Sequence, residues 1–369
     1  MVAVFQARLR PYSCYASSMR AAVWVIMCCA GCTGIIESTD DNAAANQGNG
    51  NGSGNGNGSA SGDGLCTPPH TEFPASSTIY QDISNAPVDA GWKNGTIKAV
   101  LANGWGNAFQ LDPSFTVNYA DSCAPRRTFT QPSGAQPDCD TAPIPVPVGG
   151  TIEGSADYTC SGDCHLLMYQ NDRLYELYEA NITGGKASGG QFTGSCLVVW
   201  DLTRDYWQPG TPFSRGDGCN GADAADLPIA ALLLKKAEVA AHDVRHALRF
   251  TIGNPKIDNT FYVHPTTHLG GSGPANAALP YGARLRLRAD FPVASLPSAE
   301  ARAIAVALQK YGMILADGGG FYVSATTDVT QAVDVHDLKT LQPSDFDMVD
   351  GGTRYDFHKQ DCSRTPIAL

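Results

Sequence analysis

Short strand-like segments separated by turn residues are the feature that most constrains how this chain can fold. Runs of Val, Ile, Leu, Tyr and Phe alternate with clusters of Gly, Pro, Asn and Asp from residue 65 onward. The predicted strands are Thr96–Leu101, Phe115–Ala120, His165–Gln170, Arg173–Glu179, Cys196–Leu202, Val244–Ile252, Thr260–His264, Ala283–Phe291, Met313–Ala316 and Phe321–Ser324. This pattern predicts a mainly β protein, with a β-sandwich or jelly-roll-like arrangement.

One amphipathic helix is predicted among these strands. Ser298 follows Pro297 and can cap the helix, and Glu300 suits its positive end. The apolar face comprises Ala301, Ile304, Ala305, Leu308 and Tyr311. Gly312 ends the segment. We expect this face to pack on a sheet.

The N-terminus has the features of an export signal. Arg8, Arg10 and Arg20 precede the apolar run 21–27, which is too short to span a bilayer. The segment resembles a bacterial lipoprotein signal, in which the cysteine after the cleavage site carries the lipid. The resemblance implies a signal peptide over residues 1–32 and lipidation of Cys32.

Two details qualify this resemblance. Cys29 stands where the family usually has Leu, so an ordinary signal peptide is the alternative. Thr33 and Gly34 follow the candidate cysteine, and the absence of Asp there resembles lipoproteins sent to the outer membrane. Either signal places the protein outside the cytoplasm, in the cell envelope or secreted.

Residues 33–64 are predicted to be a flexible tether. Gly, Asn and Ser make up residues 48–59, which offer no apolar side chain to bury. Residues 65–369 are predicted to form one β-rich, disulfide-bonded domain. The net charge of −11 argues against nucleic acid as a partner, because phosphate binding needs clustered Lys and Arg. We expect a monomer without a cofactor that touches membrane only through its N-terminal lipid.

The cysteine count supports export. Twelve cysteines occur in the chain, and eight of them follow Cys32. An even number in an exported domain predicts disulfides, and proximity suggests Cys123 with Cys139 and Cys196 with Cys219. Cys160 and Cys164 have a spacing found in zinc sites, but no second pair with His follows at the required distance, so a disulfide is favoured.

Six segments together resemble an uncharacterised family of exported bacterial proteins. In chain order they are 174–178 (LYELY), 222–229 (ADAADLPI), 245–251 (RHALRFT), 262–268 (YVHPTTH), 282–287 (GARLRL) and 310–317 (KYGMILAD). The resemblance covers roughly residues 140–325. It implies export but no catalytic residue, so function has to be argued from the side chains.

The segment 165–178 predicts a hairpin with a two-residue Asn171-Asp172 loop. Alternation along the strands separates its side chains into two faces. One face carries His165, Leu167, Tyr169, Leu174, Glu176 and Tyr178, and the other carries Leu166, Met168, Tyr175, Leu177 and Glu179. The second face is the better core. The first would then present tyrosines and a carboxylate, which suit a sugar, or it is simply a half-exposed strand.

If the protein cleaves a glycan, Glu176 is the predicted acid or base and needs a second carboxylate. Glu179 points to the opposite face of the strand. Asp201, next to Trp200, and Asp317 are the candidates, although Asp after a strand is also common in turns.

Other polar residues are candidates for substrate contact. His264 and His268 could bind a metal, but Pro265 and the following glycines predict a loop, so substrate contact is favoured. Arg284, Arg286 and Arg288 share one strand face and could hold an acidic glycan or could be solvated. The candidate ligand contacts are His165, Tyr169, Tyr178, Arg249, His264, His268 and Arg284. His246 alternates with apolar residues and is predicted to be a buried core histidine.

Three functions remain open from the sequence. The first is a surface-tethered protein that binds and cleaves a polysaccharide through Glu176, Asp201 or Asp317. The second is a non-catalytic glycan-binding or structural surface domain. The third is a lyase for a uronate polymer, which would bring His165, Tyr169, Arg284 and His268 together without a carboxylate pair.

Overall fold

Several β-sheets of different size form the protein. The computed structural model describes residues 66–131, 138–153, 155, 157–160, 162–206, 215–356 and 362, which belong to one compact unit. Its strands are β1 Leu111–Phe115, β2 Val117–Ala120, β3 Arg126–Arg127, β4 Ile144–Pro145, β5 His165–Gln170, β6 Arg173–Tyr178, β7 Asn181–Ile182, β8 Phe192–Thr193, β9 Cys196–Asp201, β10 Leu248–Thr251, β11 Ile257–Val263, β12 Leu279–Tyr281, β13 Arg284–Leu287, β14 Met313–Asp317, β15 Tyr322–Thr326, β16 Phe346–Met348 and β17 Arg354–Tyr355.

The largest sheet has six strands in the order β1-β15-β10-β14-β13-β16. It is mixed, because β1 runs parallel to β15 and β10 parallel to β14, while the other pairs are antiparallel. A second sheet has four strands in the order β2-β5-β6-β9, and a third has β12-β11-β17. Two-stranded pairs, β3-β4 and β7-β8, complete the pairing.

Helices are few and mostly short. They are α1 Ala90–Lys93, α2 Ile229–Leu232, α3 Lys236–Ala240 and α4 Ala299–Lys310, with 3₁₀ turns at Thr78–Tyr80, Lys98–Leu101, Asn254–Lys256, Val293–Ser295, Thr327–Gln331 and Pro343–Asp345. The Ser298 hydroxyl accepts a hydrogen bond from the Ala301 amide and so caps α4 as predicted. The apolar face of α4 packs against β13, which confirms the helix on a sheet.

Two hydrophobic clusters lie on opposite faces of the four-stranded sheet. Leu167, Tyr169 and Leu174 face the larger cluster, which also contains the inner residues of the six-stranded sheet. Leu166 and Met168 face the smaller one. Both faces of the hairpin are therefore buried, and the expectation that only the second face is core is wrong.

Four disulfides connect the eight cysteines that follow Cys32. They are Cys66–Cys123, Cys139–Cys196, Cys160–Cys164 and Cys219–Cys362. The predicted disulfide between Cys160 and Cys164 is confirmed. The two pairings suggested by proximity are wrong, because the chain folds back over 57 residues to join Cys66 to Cys123 and Cys139 to Cys196.

The mainly β fold is confirmed, with one error among the predicted strands. Residues 98–101 form a 3₁₀ turn instead of a strand. Ile97 and Leu101 are buried while Ala99, which a strand would place on the same face, is exposed, so the segment does not follow the two-residue period of a strand. Within the described part of the chain, no helix is long and apolar enough to cross a membrane. Cys32 and the tether 33–64 lie outside the described residues.

Candidate ligand-binding cavity

A cavity of about 340 Å³ brings together four of the residues singled out from the sequence. His165, Tyr178, His268 and Asp317 all line it. They come from the start of β5, the end of β6, the loop after β11 and the end of β14. The other lining residues are Asp163, Asn220, Gly221, Ala222, Ala224, Leu269, Gly270 and Tyr281.

The hairpin register explains why His165 and Tyr178 reach the same place. Asn171, in the two-residue loop, adopts a positive φ of 53°, which this kind of turn requires. The ladder then pairs Gln170 with Arg173 and, at the far end of the hairpin, His165 with Tyr178. Their ring centroids are 5.3 Å apart. The predicted hairpin and its register are confirmed.

His165 is held as a buried cation in the cavity wall. Its Nδ1 lies 2.7 Å from the Glu153 carboxylate and its Nε2 lies 3.1 Å from the carbonyl of Ala222. Because both partners accept hydrogen bonds, both ring nitrogens carry protons. Burial opposes this charge, but Glu153 outweighs it and raises the pKa of His165. His165 therefore positions its neighbours and does not act as a free base.

Asp317 presents a carboxylate at the cavity rim, where its side chain is 36% exposed. The buried guanidinium of Arg249 donates to Asp317 at 3.0 Å and to Asp223 at 2.9 Å. The Gly318 amide donates to the other Asp317 oxygen at 2.6 Å. Burial disfavours the Arg249 charge, yet the two carboxylates outweigh it and raise its pKa. Arg249 thus orients Asp317 from the buried side. Arg249 was predicted to contact the ligand directly, but its side chain is only 2% exposed, so that prediction is wrong.

Two tyrosines line the cavity: Tyr178 is partly exposed, and Tyr281 lies beneath the surface at 4% exposure. Burial and the adjacent Asp163 carboxylate raise the pKa of Tyr178 to about 12. Burial and Asp317 likewise raise the pKa of Tyr281. Both hydroxyls therefore stay protonated at neutral pH and can donate hydrogen bonds. A Cβ at Gly270 would lie 2.4 Å from the Tyr281 ring, so only glycine lets this loop approach the ring so closely.

Glu176 is fully buried and lies away from this cavity. Its carboxylate accepts hydrogen bonds from the Trp200 indole at 3.0 Å and from the Ala230 amide at 2.8 Å. Burial raises its pKa to about 7. The expectation of a solvent-facing glutamate is wrong, because the face that carries it packs against α2 and the larger core.

Asp201 does not pair with Glu176. Glu176 lies opposite Val198, whereas Asp201 lies opposite Arg173, so the two acids are three positions apart and point to opposite faces. Asp201 forms a 2.9 Å ion pair with Arg173 and accepts a 2.7 Å hydrogen bond from the Thr203 hydroxyl. These contacts fit the alternative interpretation of Asp201 as a turn residue.

The remaining predicted ligand contacts lie elsewhere. His264 stacks on Tyr355 and lies 2.9 Å from Asp217, beside a separate, small pocket. Tyr169 lines another cavity near Tyr119. Arg284 is buried and donates to the carbonyls of Tyr311, Thr78 and Gln81, so its predicted role as a ligand contact is wrong.

His246 behaves as the sequence predicts. It is 4% exposed, its Nδ1 bonds the carbonyl of Ala247 at 2.8 Å, and its Nε2 lies 3.1 Å from Glu238. The interpretation of His246 as a buried, hydrogen-bonded core histidine is confirmed.

Metal-ligand geometry occurs once among the described residues, at Cys66, Asp121 and Cys123. The two sulfurs of this group are joined in a disulfide, so neither is the thiolate that a metal requires. We therefore assign no metal centre to this group.

The structural class is a disulfide-bonded, mainly β protein with a tyrosine- and aspartate-lined cavity at the ends of β5, β6 and β14. No protein-family model, curated protein or solved structure matches the chain. The resemblance to exported bacterial proteins therefore stays a prediction, and the function rests on the cavity itself.

Sequence reasoning missed Glu153, Asp163 and Tyr281. Asp163 has a weak signal, because it lies two residues before a predicted strand that carries a candidate ligand contact. Tyr281 lies in a short strand just before Gly282, which has a φ of 83°. Glu153 sits in a loop, and nothing in its local sequence points to His165.

Proposed function

We propose that the protein binds a glycan of neutral sugars in the cavity lined by Tyr178, Tyr281, Asp163 and Asp317. The observation that carries the proposal is the presence of two tyrosine rings and two carboxylates in one cavity of about 340 Å³. Aromatic rings pack against the C–H face of a sugar, and carboxylates accept hydrogen bonds from its hydroxyls. A volume of this size is within the range of small-molecule sites.

The position of Asp317 supports binding because its carboxylate is already oriented. Arg249 and the Gly318 amide each bond one of its oxygens, so little side-chain freedom is lost when a ligand arrives. A carboxylate held in this way can still accept a sugar hydroxyl through its remaining lone pairs.

Charge favours neutral over acidic glycans. Asp163 and Asp317 give the cavity mouth negative charge, while the cation of Arg249 is already bonded to Asp223 and Asp317 and that of His165 to Glu153. A uronate would meet like charge there. The four residues expected to converge in a uronate lyase are also divided among different sites, since Tyr169 and Arg284 lie away from His165 and His268.

Binding is favoured over hydrolysis. Glu176 has the raised pKa that a general acid needs, but it is 0% exposed and both of its oxygens are bonded inside the core. Asp317, the catalytic candidate that does line the cavity, already has one oxygen bonded to Arg249 and the other to the Gly318 amide. We therefore propose the non-catalytic alternative, a glycan-binding protein.

Export agrees with the four disulfides, which fit an extracellular or exported protein. We further propose that Cys32 carries a lipid and that residues 33–64 tether the binding domain to the cell envelope. Metabolic labelling with a fatty acid tests this: the wild type should be labelled and Cys32→Ser should not. Equal labelling of both would contradict the lipid site.

A glycan panel tests the binding proposal. The purified protein is incubated with neutral and acidic polysaccharides, and both binding and release of reducing ends or unsaturated products are measured. We expect binding to at least one neutral glycan without product. Binding to none, or preference for uronate polymers, would contradict the proposal, and release of reducing ends would replace binding by hydrolysis.

A further inference from the structure

A second cavity, of about 370 Å³, lies at the opposite end of β5 from the first. His165 lines the first cavity and Tyr169 lines the second. Four residues of strand separate them, about 13 Å along the chain. Leu167, between them on the same face, is fully buried, so hydrophobic core divides the two cavities.

The second cavity contains an aromatic platform. Tyr119 is 53% exposed, which is unusual for a large ring in this structure. Its ring stacks on that of Tyr169 with centroids 5.6 Å apart and an interplanar angle of 7°. Tyr169 is 1% exposed and cannot move freely, so it holds Tyr119 in place. Tyr80 also lines the cavity.

The polar groups around this platform supply both donors and acceptors. Lys235 pairs with Glu238 at 3.2 Å, and the Arg245 Nε donates to Asp243 at 2.7 Å. Glu72 also lines the cavity. Three carboxylates and two cations line the cavity, and four of these five groups pair with one another, so the site has no strong preference for a charged ligand. A neutral ligand with many hydroxyls can use these donors and acceptors at once.

We infer that the Tyr119 cavity is a second sugar-binding site and that the protein is bivalent. The ligand class rests on the proposed function, while the site itself rests on the Tyr119–Tyr169 stack and the paired charges around it. Two sites separated by core can hold two glycan chains or two stretches of one polymer. Engaging both sites raises the apparent affinity for a polysaccharide above that for a short oligosaccharide.

Calorimetric stoichiometry distinguishes the two sites. Cellotetraose, laminaritetraose, mannotetraose and chitotetraose serve as probes, and each is titrated into the purified wild type, Tyr119→Ala, Tyr178→Ala and the double variant. We expect two sugars per wild-type chain, one for each single variant and none for the double variant. Tyr119→Phe, which keeps the ring, should retain two.

Each of the other possible results shows which of the two binding sites is wrong. One sugar per chain, lost only in Tyr178→Ala, would overturn the second site and leave the proposed function standing. One sugar, lost only in Tyr119→Ala, would support the second site and remove the first. Binding of none of the four probes would overturn the inference together with the proposed function. Circular dichroism and thermal melting of each variant show whether a lost site reflects lost folding.

Discussion

The Trp200 indole donates a 3.0 Å hydrogen bond to the carboxylate of Glu176 inside the protein core. The second oxygen of the same carboxylate accepts from the Ala230 amide in α2. Glu176 therefore joins the four-stranded sheet to a helix, and its role is structural. Substitution of Glu176 should therefore change the stability of the protein.

Glu176→Gln should destabilise the protein in a pH-dependent way. The amide keeps one acceptor and loses the other, a cost of about 1–3 kcal/mol. The wild-type carboxyl has a pKa of about 7, above its ordinary 4.5, because of burial. Its contribution to stability is complete below pH 4.5 and is lost as the pH rises through 7. The glutamine variant has no such loss, so its deficit should shrink with rising pH.

Urea unfolding at several pH values between 4.5 and 8 measures this change. The pKa shift of Glu176 corresponds to a change of about 3 kcal/mol in the free energy of unfolding between these pH limits. A deficit that grows with pH would mean that the ionised carboxylate stabilises the fold, which contradicts the assignment.

Glu153 should make the pH at which His165 loses its proton higher than usual. Glu153 raises the pKa of His165 above its ordinary 6.5, so this pair contributes stability that is complete below pH 6.5 and is lost as the pH rises through the folded value. NMR of the His165 ring should show a midpoint above 6.5, and Glu153→Gln should lower it. A wild-type midpoint below 6.5, or one unchanged in the variant, would contradict the buried cation.

Arg284 should matter for folding and not for ligand binding. Arg284→Ala removes the guanidinium donor from the carbonyls of Thr78, Gln81 and Tyr311, at a cost of about 2–3 kcal/mol. Arg288→Ala, just after β13, is the matched control, because Arg288 is exposed and pairs with Asp290. Denaturant unfolding should show a large loss for Arg284→Ala and little for Arg288→Ala. Reduced glycan affinity in a folded Arg284→Ala protein would instead support the prediction that Arg284 contacts the ligand.

The disulfides should contribute unequally to stability. Cys139–Cys196 closes a loop of 57 residues, whereas Cys160–Cys164 spans only 4. Replacing Cys139 and Cys196 together by Ala should cost about 2–5 kcal/mol, because the unfolded chain regains more freedom. The same change at Cys160 and Cys164 should cost less. Unfolding midpoints in urea compare the two double variants, and equal or reversed losses would contradict the loop-length argument.

The elements that depend on nearby residues are those that the sequence predicts well. The hairpin from His165 to Tyr178 needs only alternation and a two-residue turn, and its register agrees residue by residue. The helix that starts after Ser298 has a cap, an apolar face and a terminating glycine within one short segment.

The site depends on distant pairing, and no local pattern contains it. Which face of the hairpin lies in the larger core depends on α2, whose Ala230 is 54 residues from Glu176. Asp317 reaches the cavity because β14 pairs with β10, which places it beside Arg249, 68 residues away. Disulfide pairing failed for the same reason, since three of the four bonds join residues at least 57 apart.

The central claim is that a glycan of neutral sugars occupies the cavity between Tyr178 and Asp317. The most direct measurement is the dissociation constant of the best neutral glycan for the wild type, Tyr178→Ala and Asp163→Asn. Asp163 is exposed, so Asp163→Asn changes a ligand acceptor without disturbing the core. We expect both variants to weaken binding by roughly tenfold, about 1.4 kcal/mol, at unchanged folding. Affinities within about twofold of the wild type in both folded variants would contradict glycan binding in this cavity.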